Sequence, residues 1–236
     1  MELIESIFKL KDHKTSFKKE VLAGLATFLT MAYIMVVNPA ILSETGMDFD
    51  SVFVATILAS FVACMLMGIL ANWPVALAPG MGLNAFFTYA VVFGMGFTWQ
   101  QALAAVLCSG ILFLIISLSP LRAYLINAIP RSLKFGIGAG IGLFLAIIGL
   151  KNAGIVVDNP ATLVGLGDLK SAPVLLALLT FTLMIGLDKL KIPGAIVISI
   201  LVTTIIGFVF GVAQFQGVAS SIPSMSPTFM QLDFSS

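Results

Sequence analysis

Runs of about twenty apolar residues, nearly free of charge, recur along this chain. As helices they are long enough to cross the roughly 30 Å hydrocarbon core of a bilayer. Polar residues, Gly and Pro divide them into about seven spans: Glu20–Val37, Ser51–Ala71, Val75–Gly94, Gln100–Ser119, Ser132–Leu150, Ala172–Leu187 and Gly194–Val212. The sixth is short enough to stand with little tilt or to lie partly in the interface. Of 236 residues, 59% are hydrophobic and 10% charged, with a mean hydropathy of +1.11. A soluble domain of this size needs more charge on its surface, so the expectation is an all-α polytopic protein embedded in lipid.

The same composition excludes several functions. Cys64 and Cys108 both fall inside apolar runs and read as free thiols facing lipid or core. The single histidine, His13, lies in the polar N-terminal stretch, so neither a metal site nor a Cys/His pair is expected. No nucleophile and base stand together, which argues against an enzyme. No cofactor or nucleic-acid partner is expected. The opening MELIESIFKLKDHKTSFKKE is polar and basic and shows no cleavable signal. Leu3, Ile4, Ile7 and Phe8 share a helical face, so residues 1–19 read as a cytoplasmic amphipathic segment or, equally, a disordered tail.

Orientation follows from Lys and Arg. Lys9, Lys11, Lys14, Lys18 and Lys19 precede the first span, Arg122, Arg131 and Lys134 follow the fourth, and Lys189 and Lys191 follow the sixth. These ten share one side if the third run crosses once, against Lys151 and Lys170 on the other. The N-terminus is therefore expected in the cytoplasm of a plasma-type membrane, with Glu44, Asp48 and Asp50 outside. An odd number of spans places any similar unit fused behind it upside down, as in secondary transporters built from inverted repeats. No internal repeat shows within the chain, so it reads as one repeat of something larger. A complete seven-span protein is the alternative. A retinal-binding protein would need a lysine in the last span, which Gly194–Val212 lacks.

Polar and helix-breaking residues inside the spans mark candidate sites. The third run, WPVALAPGMGLNAFFTYAVV, holds Pro74, Pro79, Gly80 and Gly82 before Asn84. Proline lacks a backbone donor and glycine loosens the backbone, so Val75–Leu83 is expected to be extended, with a half-helix from Asn84 onward. The free donors and dipole of such a half-helix suit an electronegative ligand group. Asn84 would cap the helix or touch the ligand, with Phe86 and Phe87 available to stack on a flat ring. The alternative is a kinked but continuous helix with Asn84 satisfied by a neighbour. Thr27, Thr30 and Tyr33 share a face of the first span. Their hydroxyls either line a polar cavity or bond back to the carbonyls of the preceding turn. In KFGIGAGIGLFLAIIGL, Gly138 and Gly142 form a GxxxG pattern that predicts close helix packing.

AGLATFLTMAYIMVVNPAIL (Ala23–Leu42), NWPVALAPGMGLNAFFTYAVV (Asn72–Val92) and IPRSLKFGIGAGIGLFLAIIGL (Ile129–Leu150) resemble the nucleobase:cation symporter-2 (xanthine/uracil permease) family. The branch they resemble is that of the AzgA-like adenine/guanine/hypoxanthine permeases. The resemblance covers essentially the whole chain but only the N-terminal half of such a permease. It implies one inverted repeat of a 7+7 transporter fold, with the third span a short strand followed by a half-helix. That strand would pair with its counterpart in the tenth span, and a purine nucleobase would bind between them. Transport would be coupled to a proton and proceed by alternating access. Core spans one to four (20–119) would move against gate spans five to seven (120–213), and 214–236 would be an external loop.

The resemblance implies substrate contacts at Asn84 and its neighbours Gly82, Ala85, Phe86 and Phe87, with Thr27 and Thr30 facing them. Pro79, Gly80, Gly138 and Gly142 would be structural. Where uracil and xanthine relatives carry Gln-His, this chain has Ala26-Thr27, which favours purines. The resemblance places the acidic residues that hold the base and take the proton in the eighth and tenth spans, so the missing half (spans eight to fourteen) is an expected partner. A homodimer is expected of the full-length protein. The rival readings are a channel or pore subunit and an inactive truncated fragment.

Overall fold

The computed structural model describes residues 8–160, 162–213 and 223–235. The face expected of Leu3, Ile4 and Ile7 lies outside these, as do residues 214–222 of the expected external loop.

Each of the seven apolar runs contains helix, the third only from Met81 onward. The first is Phe17–Ser43, split at Ala32 and Tyr33 into α1 (Phe17–Met31) and α2 (Ile34–Ser43). It continues past Val37, where the expected span stopped, because Pro39 is taken inside α2. Pro39 has no N–H to give to the carbonyl four residues back, so this helix is weakened at the level of Met35. The next helix, α3 (Phe49–Leu66), starts at Asp48, whose carboxylate accepts from the Ser51 N–H at 2.8 Å. It runs on as a π-helical turn, Met67–Ala71, and ends at Asn72 in the left-handed region (φ 47°), a conformation Asn tolerates better than most residues.

After an irregular stretch, 72–80, comes α4 (Met81–Ala85), which widens into a π-helix, Phe86–Gly94. Thr98 and Gln101 form a reciprocal capping box at the start of α5 (Trp99–Ser117). Two features were not expected from the sequence. One is the short helix α6 (Leu121–Ala128). The other is an antiparallel hairpin, β1 (Val156–Asn159) with β2 (Leu163–Leu166), in register Val156 to Leu166 and Asn159 to Leu163. Between them runs α7 (Arg131–Asn152), and the chain closes with α8 (Ala172–Lys189) and α9 (Ala195–Val209). Among the described residues five stretches are long and apolar enough to cross a membrane; Met81–Gly94 and Ala195–Val209 are shorter.

A small apolar cluster of Met47, Val52, Phe87 and Ala102 joins α3, the π-helix Phe86–Gly94 and α5. A second pairing sets α8 against α9, tied by a Thr180–Thr203 hydroxyl contact at 2.9 Å. Residues 223–235 reach the starts of α3 and α5: the Ser224 carbonyl lies 3.0 Å from Ser51 Oγ, and the Ser235 carbonyl accepts from Gln101 Nε2. The chain exposes 16677 Å², against about 10,000 Å² for a compact soluble monomer of its mass. The excess is largely apolar side chains such as Leu70, Phe135 and Leu143, which suit lipid or further protein rather than water.

Candidate functional site

The broken third span sets the site. Backbone outside a helix must find partners within the protein at membrane depth, and Pro74 and Pro79 contribute no donors. At Leu77 both groups are met by one side chain. The Leu77 N–H donates to Cys64 Sγ at 3.1 Å, and the Cys64 thiol donates to the Leu77 carbonyl at 3.3 Å. The Val75 N–H turns back onto the Trp73 carbonyl at 2.8 Å. A thiol on α3 thus stands where a neighbouring strand would be expected. No strand is assigned to 72–80; the only paired strands among the described residues are β1 and β2.

The helix begins earlier than the sequence suggests. Its N-cap is Gly80, in extended conformation, and Asn84 lies inside the first turn with its N–H bonded to the Gly80 carbonyl at 3.2 Å. Asn84 is therefore not the cap. With its backbone already satisfied, its side chain reaches across to other helices. The Asn84 amide donates to Asn38 Oδ1. Asn38 Nδ2 donates to Thr56 Oγ1 at 2.7 Å, and Thr56 donates to the Val52 carbonyl at 2.7 Å. Asn38 and Thr56 are 4% and 3% exposed. This relay ties α2, α3 and α4 together. Breaking any link leaves a buried polar group unpaired, at about 1–3 kcal/mol.

The other predicted positions divide. Thr27 lines a cleft of about 540 Å³ with Thr56, Ser60, Cys64 and Leu77. Its hydroxyl bonds back to the Ala23 carbonyl at 2.9 Å, and that of Thr30 to the Thr27 carbonyl at 2.7 Å; Thr30 is not part of the cleft wall. Ala85 is fully buried, Phe87 belongs to the apolar cluster, and Phe86 faces outward, 51% exposed. The two rings thus do not share a side. Pro79 ends the irregular stretch, half-buried beside the Gly80 cap.

Gly82 makes the close approach that Gly138 and Gly142 were expected to make. A Cβ at Gly82 would stand 2.5 Å from Ile141 Cγ2 of α7, whereas one at Gly138 or Gly142 would meet nothing within 4 Å. The expected packing across Gly138 and Gly142 is thus not made among the described residues. Here the small residue sits on α4 and the bulky one on α7, and the α7 glycines turn to faces without a neighbour.

Sequence reasoning missed Asn38, Thr56 and Cys64 as members of this arrangement. The available signal was an amide beside a proline at membrane depth. Among the described residues no three His, Cys, Asp or Glu side chains gather to hold a metal. Acidic side chains lie at helix ends instead: Glu20 and Asp188 at the start of α1 and the end of α8, Glu44 and Asp48 between α2 and α3. Glu44 accepts from the Tyr89 hydroxyl at 2.9 Å. Hydrogen bonds from the Ser51 side chain and backbone hold the Asp48 carboxyl below the usual carboxylate range.

A multi-pass helical protein with one apolar run broken, and polar side chains of three helices joined beside the break, has the build of a transporter. The sequence profile of the Permease family, that of the xanthine/uracil permeases, matches residues 18–235, and the chain belongs to that family. It is 45% identical over 231 residues to an adenine permease of Escherichia coli, covering 98% of this chain and 52% of the relative. A guanine/hypoxanthine permease of Bacillus subtilis is 47% identical over 226 residues, 95% of this chain and 52% of the relative. A permease-named protein of Methanocaldococcus jannaschii is 51% identical over 234 residues, 99% and 54% of the two lengths. The chain thus spans about half the length of the curated relatives it matches, and these are named as permeases, not enzymes.

Proposed function

We propose that this chain forms the N-terminal half of a purine nucleobase permease, moving adenine, guanine or hypoxanthine across the cytoplasmic membrane. The observation that carries this reading is the Asn84–Asn38–Thr56 relay, which joins three helices beside the break in the third span. The purine names of its relatives support the substrate class. In this reading Asn84 contacts the base, and the wall carrying Thr27 and Thr56 belongs to its path. The first four spans form a core that moves against a gate of spans five to seven. The chain is then one inverted repeat, with its N-terminus in the cytoplasm. The second repeat supplies a strand against 75–78 and the acidic groups that bring in the coupling proton, and the complete protein is a homodimer.

Radiolabelled purine uptake tests this, in cells lacking their own purine uptake. One culture expresses this chain alone and another the full-length permease containing it. Uptake by the full-length protein and none by the chain alone is the expected pattern. Uptake by the chain alone would contradict the half-unit reading, and no purine uptake by either would contradict the substrate.

A further inference from the structure

The relay has a direction. The Val52 carbonyl can only accept, so Thr56 spends its one proton on it. Thr56 must then accept from Asn38, which requires the Asn38 NH₂ to face Thr56 and its Oδ1 to face Asn84. Asn84 must in turn donate to Asn38. Its own Oδ1 is left at the free end, and no described residue donates to it. Each amide orientation is forced by the one before it, starting from a backbone carbonyl that cannot reverse. Asn38 and Thr56 are both buried, so water does not replace a missing link cheaply.

We propose that Asn38 and Thr56 are positioning residues that fix which atom of the Asn84 amide is free: its NH₂ is held by Asn38, and its carbonyl oxygen is the one left for a substrate. Asn84 then selects ligands that present a ring or exocyclic N–H at that point. This rests on the purine-site reading above and adds to it a polarity: Asn84 reads a donor edge. A neutral purine offers such donors. A shape-matched ring with an oxygen or a C–H in that place leaves the Asn84 oxygen unpaired, a defect that binding sites built on hydrogen bonds reject strongly.

The test uses purified full-length permease and measures dissociation constants for a purine and for isosteres that lack one donor. These are oxazolo- and furo-pyrimidines, with O in place of the imidazole N–H, and purines with methyl in place of the exocyclic amine. The wild type is expected to bind at least one isostere roughly thirtyfold more weakly than the purine, the scale of one unpaired polar group. Thr56→Ser keeps the hydroxyl and is expected to keep that ratio. Thr56→Val frees Asn38, and with it Asn84, to turn over, and is expected to bring the ratio below about fivefold.

A Thr56→Val ratio equal to wild type overturns the proposal. So does a Thr56→Ser ratio that collapses like Val, or a wild type indifferent to every isostere. Should Thr56→Val not be recovered folded, Asn38→Leu takes its place with the same two outcomes. Asn84→Ala separates the two levels. Unchanged purine binding by that variant defeats the site reading itself. Weakened binding together with an unmoved Thr56→Val ratio defeats only the relay.

Discussion

The third span and the fifth are both rich in glycine, yet they solve opposite problems. Residues 72–94 break, with an irregular stretch, an α-helical turn and a π-helix in succession. Side chains from other helices hold this span: Cys64 at Leu77 and Asn38 at Asn84. Helix α7, with Gly136, Gly138, Gly140 and Gly142, runs unbroken from Arg131 to Asn152, and none of those glycines has a neighbour within reach of a Cβ. Glycine alone therefore does not break a span. The break comes where prolines remove donors and polar side chains stand ready to satisfy what is exposed. The two regions meet where the Tyr89 ring stands edge-on to Phe144 and, most tightly, at Gly82 against Ile141.

That meeting point gives the largest expected difference in stability. Gly82→Val forces a side chain onto Ile141, whose branched carbon has little rotamer freedom in a helix, and should cost about 1–3 kcal/mol. Ile141→Ala should recover most of this. Gly138→Ala and Gly142→Ala should go the other way, each stabilising the isolated chain by roughly 0.5–1 kcal/mol through helix propensity. Thermal melting of the purified chain in detergent measures all four. Equal losses at Gly82 and Gly138 would erase the contrast between the two spans.

Next in size is the thiol. Cys64→Ala leaves the Leu77 N–H and carbonyl without their partner, a loss of about 1–3 kcal/mol, while Cys64→Ser keeps most of the contact. Hydrogen exchange at Leu77, fast in the alanine variant and slow in the serine one, is the direct check. Exchange at Leu77 as slow in Cys64→Ala as in wild type would show that something else holds the segment.

The smallest effect belongs to Asp48, outside the spans. Its folded-state pKa lies below the ordinary value because Ser51 donates to the carboxylate from side chain and backbone. A depressed carboxylate contributes stability that is complete above its unfolded pKa and is lost as pH falls through the folded one. The melting difference between wild type and Asp48→Ala should therefore be constant near neutrality and shrink below about pH 4. A difference that grows on acidification would contradict the cap.

Much of this was legible in the sequence, for reasons that differ by residue. The apolar runs became helices because length and hydropathy suffice at membrane depth. The break was readable because Pro74, Pro79, Gly80 and Gly82 are local signals. The cap was misplaced from Gly80 to Asn84 because Gly-Met-Gly carries no mark that says where helix begins, whereas Asn does. The partners of Asn84 were hidden because they lie on other helices, 46 residues away in the case of Asn38. Local pattern does not register such separations. Phe86 and Phe87 looked equivalent in sequence, but adjacent helical residues point apart, and only Phe87 reaches the cluster. The hairpin at 156–166 was missed because Val156-Val157 and Leu163-Val164 are too short to stand out among longer apolar runs.

The central proposal is that the third-span break and its relay, not the glycine-rich fifth span, hold the purine site. Purine uptake by the full-length permease, at matched membrane levels of protein, tests it most directly. Asn84→Ala should lower uptake roughly tenfold or more, the scale of one lost contact of about 1.4 kcal/mol. Gly138→Ala and Gly142→Ala should stay within about twofold of wild type, as expected where a methyl group meets open space. Uptake by Asn84→Ala at the wild-type rate would contradict the account.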